Sequence, residues 1–135
     1  MFEDIWFYWQ STVCAKKIAF TSDIYYNYLR REGSFVTEIL ENKCKYIKDY
    51  FRVFRSLYKF LNEHNLYGQY ENVFWKHQEK LINWLLVNSN EVNQNRIKEL
   101  FYLSLCELGI KEEFWNDEIS NILSDYVSNK IQLAF

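Results

Sequence analysis

Leu40, Cys44, Ile47, Phe51, Phe54, Tyr58 and Leu61 follow one another at steps of 4, 3, 4, 3, 4 and 3 residues. Side chains at that spacing return to one face of a helix with 3.6 residues per turn. The run therefore predicts a helix from about Ser34 that carries one apolar seam for about six turns. A seam of that length has to be covered by other apolar surface, and the rest of the chain offers it in the same form. After "NEHNLYG", Tyr70, Phe74, His77, Leu81 and Trp84 continue the stepping in a second helix. "NSNE" interrupts it with residues that favour helix caps. Ile97, Leu100, Phe101, Ser104 and Leu108 mark a third helix, closed by Gly109, and Trp115, Ile119, Ile122 and Tyr126 mark a fourth. Proline is absent and the only glycines are Gly33, Gly68 and Gly109, so long helices meet few interruptions. The expected fold class is mainly α, with residues 36–135 forming a four-helix C-terminal bundle.

Residues 1–35 read differently. From Glu3 to about Lys17, Trp6, Trp9, Val13 and Lys17 recur at helical spacing, with Ile5 and Phe7 widening the apolar face. Acids open this helix and lysines close it, as the helix dipole favours. The period then changes to alternation, and two short strands are expected at about 18–21 and 24–29, the second over "IYYNYL". "RREGS" is a turn around Gly33. Two strands make a poor sheet by themselves, so their edges are expected to pair with something else.

The 135 residues fit one domain, and with 49% apolar and 20% aromatic residues the chain can fill a core. A formal net charge of -2, with both signs interspersed, gives no electrostatic footprint for nucleic acid. The apolar runs, such as Leu85, Leu86 and Val87, are too short to span a bilayer. An acidic start is not that of a signal peptide. Cys14, Cys44 and Cys106 lack metal or redox spacing, and reduced core thiols in the cytoplasm are the expectation. No glycine-rich phosphate loop, zinc pattern or Ser-His-Asp arrangement is present.

Glu3 and Asp4 are the strongest acidic pair for general-base chemistry, although acids at a helix start also serve the dipole and the free N–H groups. Arg30, Arg31 and Ser34 surround a tight turn where cations, a hydroxyl and backbone N–H groups suit a phosphate, or simply form a solvated hairpin end. His64 and His77 have no partner at ligand spacing and read as a surface histidine and a helix-face histidine. The tryptophans fall on apolar faces and read as core, with an exposed sugar-stacking tryptophan as the alternative.

Taken in order, "FEDIWFYWQSTVCAKKIAFTSDIYYNYLRREGSFV" resembles the middle-to-late part of bacterial family 2 glycosyltransferases, the GT-A-fold enzymes of capsule, exopolysaccharide and lipopolysaccharide synthesis. The resemblance rests on an E-D-x-x-F helix (Glu3, Asp4, Phe7), a "KKIAF" strand (Lys16 to Phe20), an aromatic strand (Tyr25, Tyr26, Tyr28) and an R-x-G-S turn (Arg31, Gly33, Ser34). It covers about a quarter of the chain. It implies that residues 1–35 end a GT-A catalytic domain and that Asp4 is the base taking the acceptor proton in an inverting transfer. Glu3 would orient the acceptor or the helix start. Arg31 and Ser34, with Arg30, would stabilise the departing diphosphate. The donor would be a nucleotide-diphosphate sugar, and the acceptor a glycan or lipid-linked hydroxyl.

The family's Asp-x-Asp motif, which holds the diphosphate and a divalent Mg or Mn, does not occur in this sequence. The resemblance thus implies a C-terminal fragment, inactive alone, whose partner is the missing nucleotide-binding half. No cofactor is expected in this chain itself. The implied setting is the cytoplasm, including its membrane-facing periphery. The competing class is a non-enzymatic α-helical interaction module, which accounts for the bundle and leaves the ordered motifs to coincidence.

Overall fold

A computed structural model describes residues 3–19, 22 and 46–132 of the chain. It is mainly helical, as the periodicity predicts. Among the described residues, five α-helices run in the order α1 (Glu3–Cys14), α2 (Ile47–Glu63), α3 (Tyr67–Val87), α4 (Glu91–Glu107) and α5 (Asp117–Gln132), with a 3-10 turn at Glu112–Phe114 before α5. Among the described residues, no helix is long and apolar enough to cross a membrane.

The helix ends follow from local chemistry. At the end of α2, Asn65 takes a left-handed φ of 56°, and Leu66 N–H reaches back to the Leu61 carbonyl at 2.7 Å. Asparagine tolerates this conformation, and the backward bond satisfies a carbonyl that the helix leaves open. Gly109 (φ 72°) does the same after α4, where Ile110 N–H bonds the Leu105 carbonyl at 2.9 Å. In "NSNE", Asn90 is the N-cap of α4, its side-chain oxygen accepting from Asn93 N–H at 3.0 Å. Asn116 serves α5 in the same way, accepting from Ile119 N–H at 3.0 Å.

Helix α2 packs against α1, α3 and α4, while α5 packs against α3 and α4. Ile47, Phe51, Phe54 and Leu61 of the predicted seam are buried, joined by Tyr50 and Leu57 on the neighbouring stripe. A helix covered on three sides buries more than one stripe. The Phe54 ring lies 5.8 Å from Phe74, 5.8 Å from Phe101 and 6.0 Å from Trp75, so aromatic rings from α2, α3 and α4 meet at the centre of the core. Arg55 ties α2 to α4 at the edge. It donates to the buried Ser104 hydroxyl at 2.9 Å and pairs with Glu107 at 3.0 Å.

Several expectations need correction. Helix α1 stops at Cys14 rather than near Lys17, and Phe7 is 72% exposed instead of widening the packed face. The described helix α2 starts at Ile47, after a bend at Tyr46, so the seam does not run as one helix through that point. The buried face of α3 is Phe74, Trp75, Gln78, Ile82 and Leu85, about one residue round from the expected stripe, and Trp84 is left 43% exposed. Cys14 and Cys106 are exposed thiols, not core ones. Of the strand expected at 18–21, residues 18 and 19 have no regular structure. The remainder of that strand, the strand at 24–29, Leu40 and Cys44 lie outside the described residues.

Candidate functional site

Helix α1 is amphipathic in an unusual sense, because both of its faces are aromatic. One face carries Ile5, Trp6, Trp9 and Val13 against the bundle. The Trp6 ring meets Phe60 of α2 edge-on at 5.4 Å, and the buried Trp9 meets Phe74 of α3 at 5.9 Å. The other face carries Asp4, Phe7, Tyr8 and Ser11, at positions i, i+3, i+4 and i+7, and all four are exposed. A carboxylate and two aromatic rings thus stand together on a solvent-facing stripe of a helix held from behind. Ser11 donates to the carbonyls of Phe7 at 2.7 Å and Tyr8 at 3.1 Å, keeping its hydroxyl on the helix backbone.

Of the sequence-predicted site residues, Glu3 opens α1 and Asp4 lies in its first turn. Arg30, Arg31 and Ser34 lie outside the described residues. Among the described residues, no group of three His, Cys, Asp or Glu side chains gathers as a metal site.

The hinge between α1 and the bundle contains a group that sequence reasoning left as a plain helix-face histidine. Trp9 Nε1 donates to His77 Nδ1 at 3.3 Å, and the two rings are 5.7 Å apart. The Gln78 amide nitrogen lies 3.3 Å from the same Nδ1, and Gln78 is itself buried, with its carbonyl oxygen accepting from Tyr50 Oη–H at 2.9 Å. The chain Tyr50–Gln78–His77–Trp9 joins α2, α3 and α1 and requires His77 Nδ1 to be an acceptor. Burial, with Lys80 nearby on α3, holds the His77 imidazole below its ordinary value of 6.5. No sequence signal marks Gln78 as buried, since its place depends on the Tyr50 hydroxyl arriving from another helix. His64, by contrast, is exposed, as expected.

The sign of the pH dependence follows. The unfolded histidine binds its proton at higher pH than the folded one, so the His77 contribution is complete above about 6.5 and is lost as pH falls through the lower folded value. Stability, read as urea midpoint, should decline through that interval and decline less in His77→Gln, whose amide oxygen can still accept from Trp9. Equal slopes for the two proteins would remove His77 from the hinge.

No family model matches the sequence, and comparison with curated proteins and with solved structures returns no match either.

Proposed function

We propose that this chain supplies the acceptor-activating end of an inverting GT-A glycosyltransferase of the family 2 type, transferring a sugar from a nucleotide-diphosphate donor to an acceptor hydroxyl in surface polysaccharide synthesis. The observation that carries the reading is the outward stripe of α1. Asp4 and Phe7, the two residues of the E-D-x-x-F pattern that would face substrate, share it, while Trp6 and Trp9 fasten the helix to the bundle from the opposite side.

In this reading the Asp4 carboxylate takes the proton from the acceptor hydroxyl as that oxygen attacks the anomeric carbon. The bond to the nucleoside diphosphate breaks on the opposite side, and the configuration inverts. Phe7 and Tyr8 offer flat apolar surface beside the base for the C–H face of an acceptor sugar. Glu3, one position earlier, orients the acceptor or the helix start. Arg31, Ser34 and Arg30 would neutralise the charge that develops on the leaving diphosphate.

Turnover tests the proposal. In the complete enzyme, Asp4→Asn should abolish most sugar transfer and leave donor binding intact, and unchanged transfer would remove it. A second expected result separates the halves of the reaction. Donor binding belongs to the Asp-x-Asp half, so the 135 residues alone should give no micromolar heat with UDP-sugars and manganese in calorimetry. Micromolar binding would place the donor site in this chain and overturn the division of roles.

A further inference from the structure

A second region gathers unemployed polar groups around aromatic walls, at the end of the bundle where the start of α3 meets the α4–α5 connection. A hollow of about 270 Å³ is walled by Tyr58 of α2, Tyr67 and Trp75 of α3, and Phe114 of the 3-10 turn. An adjoining hollow of about 330 Å³ continues past Gln69, Asn72 and Glu118. Glu71, Trp75 and Asn116 line both, so the two form one groove that is aromatic at one end and polar at the other.

The aromatic end is fixed in place. Trp75 Nε1 donates to Tyr67 Oη at 2.9 Å, Tyr67 Oη donates to Glu71 Oε1 at 3.2 Å, and the Tyr58 and Tyr67 rings meet at 4.9 Å. Burial pushes both phenols above their ordinary range, so they remain neutral. Phe114, 71% exposed, stands at the rim, although a ring of that size is ordinarily covered. In the polar end, the Gln69 and Asn72 side chains have no protein partner among the described residues. Asn116 uses its oxygen to cap α5, which leaves its Nδ2 donors to the groove. Among the described residues, no lysine or arginine lines either hollow, whereas Glu71 and Glu118 do.

Each feature narrows the ligand. Two carboxylates, with no cation among the described lining residues, disfavour a phosphate, a nucleotide or an acidic sugar. Amide donors and acceptors next to carboxylates match the alternating donor and acceptor character of neighbouring hydroxyls. Aromatic walls match the C–H face of a pyranose, which is apolar. An aromatic wall with one carboxylate also suits a quaternary ammonium ion, but that ligand has no use for the three amides or for the elongated shape. We propose that this groove is a binding site for a neutral oligosaccharide, separate from the chemistry at Asp4. It stands independently of the glycosyltransferase reading, which it would extend by giving the bundle a hold on a glycan.

The test is titration of the isotope-labelled chain with uncharged disaccharides and trisaccharides of glucose, galactose and N-acetylhexosamines, followed by backbone amide shifts. At least one should move Gly68, Gln69, Asn72 and Gly109 together, with Kd on the order of millimolar. Phe114→Ala and Gln69→Ala, both at exposed positions, should each weaken it by about fivefold without changing the remaining spectrum. Three results would overturn the proposal: no shift with any sugar, sugar shifts that both variants leave unchanged, or shifts at these amides with choline and with no sugar. Because this readout does not involve Asp4, loss of sugar binding with a rate defect in Asp4→Asn would discard the groove alone.

Discussion

On the proposed glycosyltransferase reading, Asp4→Asn in the complete enzyme should lower kcat by about 10²–10⁴-fold, the usual contribution of a positioned base, with donor affinity nearly unchanged. The amide keeps the size and most of the hydrogen bonding of the carboxylate but cannot take the acceptor proton. Asp4 is exposed on the outward stripe of α1, so its replacement leaves the Trp6 and Trp9 contacts with the bundle in place. The competing role is electrostatic. An acid in the first turn of a helix contributes about 0.3–1 kcal/mol through the dipole, and losing it would lower the melting temperature with little change in rate. Measuring kcat and Tm on the same variant separates the two roles. Glu3→Gln should have a smaller rate effect than Asp4→Asn. A stability loss in Asp4→Asn with an unaltered rate would return Asp4 to an ordinary helix start.

Phe54→Ala should remove about 3–5 kcal/mol of stability, a large share of the roughly 5–15 kcal/mol that holds a domain together. Phe54 is 1% exposed, and its ring is surrounded by Phe51, Phe74, Trp75 and Phe101. Truncation forfeits the transfer of the ring out of water and also leaves a cavity. That cavity is bounded by large rigid rings on three helices, which have few rotamers with which to fill it. Urea unfolding gives the measurement, with Phe7→Ala as the control. The Phe7 ring is 72% exposed and should cost no more than about 0.5 kcal/mol. Similar losses for the two variants would mean that the centre of the core is not where α2, α3 and α4 meet.

The α2 seam was legible from spacing because α2 is covered by α1, α3 and α4. Any apolar stripe it carries is covered, and Ile47, Phe51, Phe54 and Leu61 are. The α3 stripe was less legible because that helix has two adjacent apolar stripes. The sequence favours Tyr70, Phe74, His77, Leu81 and Trp84, whereas the core takes Phe74, Trp75, Gln78, Ile82 and Leu85. Hydrophobicity does not separate the two. Gln78 can occupy the core because its oxygen accepts from Tyr50, 28 positions away, and its nitrogen meets His77. The same holds for α1, where Trp6, Phe7, Tyr8 and Trp9 are consecutive aromatics and only the position of the bundle decides which are covered. At the candidate site, the helix that carries Asp4 was legible. The His77 junction and the groove at Glu71 were not, since both join residues from separate helices.

By itself the sequence determined that the chain is mainly helical and where several helices stop. Period, capping and a left-handed glycine or asparagine act within a few residues, so Asn65, Asn90 and Gly109 carry their instructions locally. Only the tertiary structure decided which stripe of each helix is buried, that Cys14 and Cys106 face solvent, and that Asp4, Phe7 and Tyr8 look outward together. Burial is set by what arrives from elsewhere in the chain. The surface that leaves water is chosen by the docking of whole helices, and no window of sequence contains that partner.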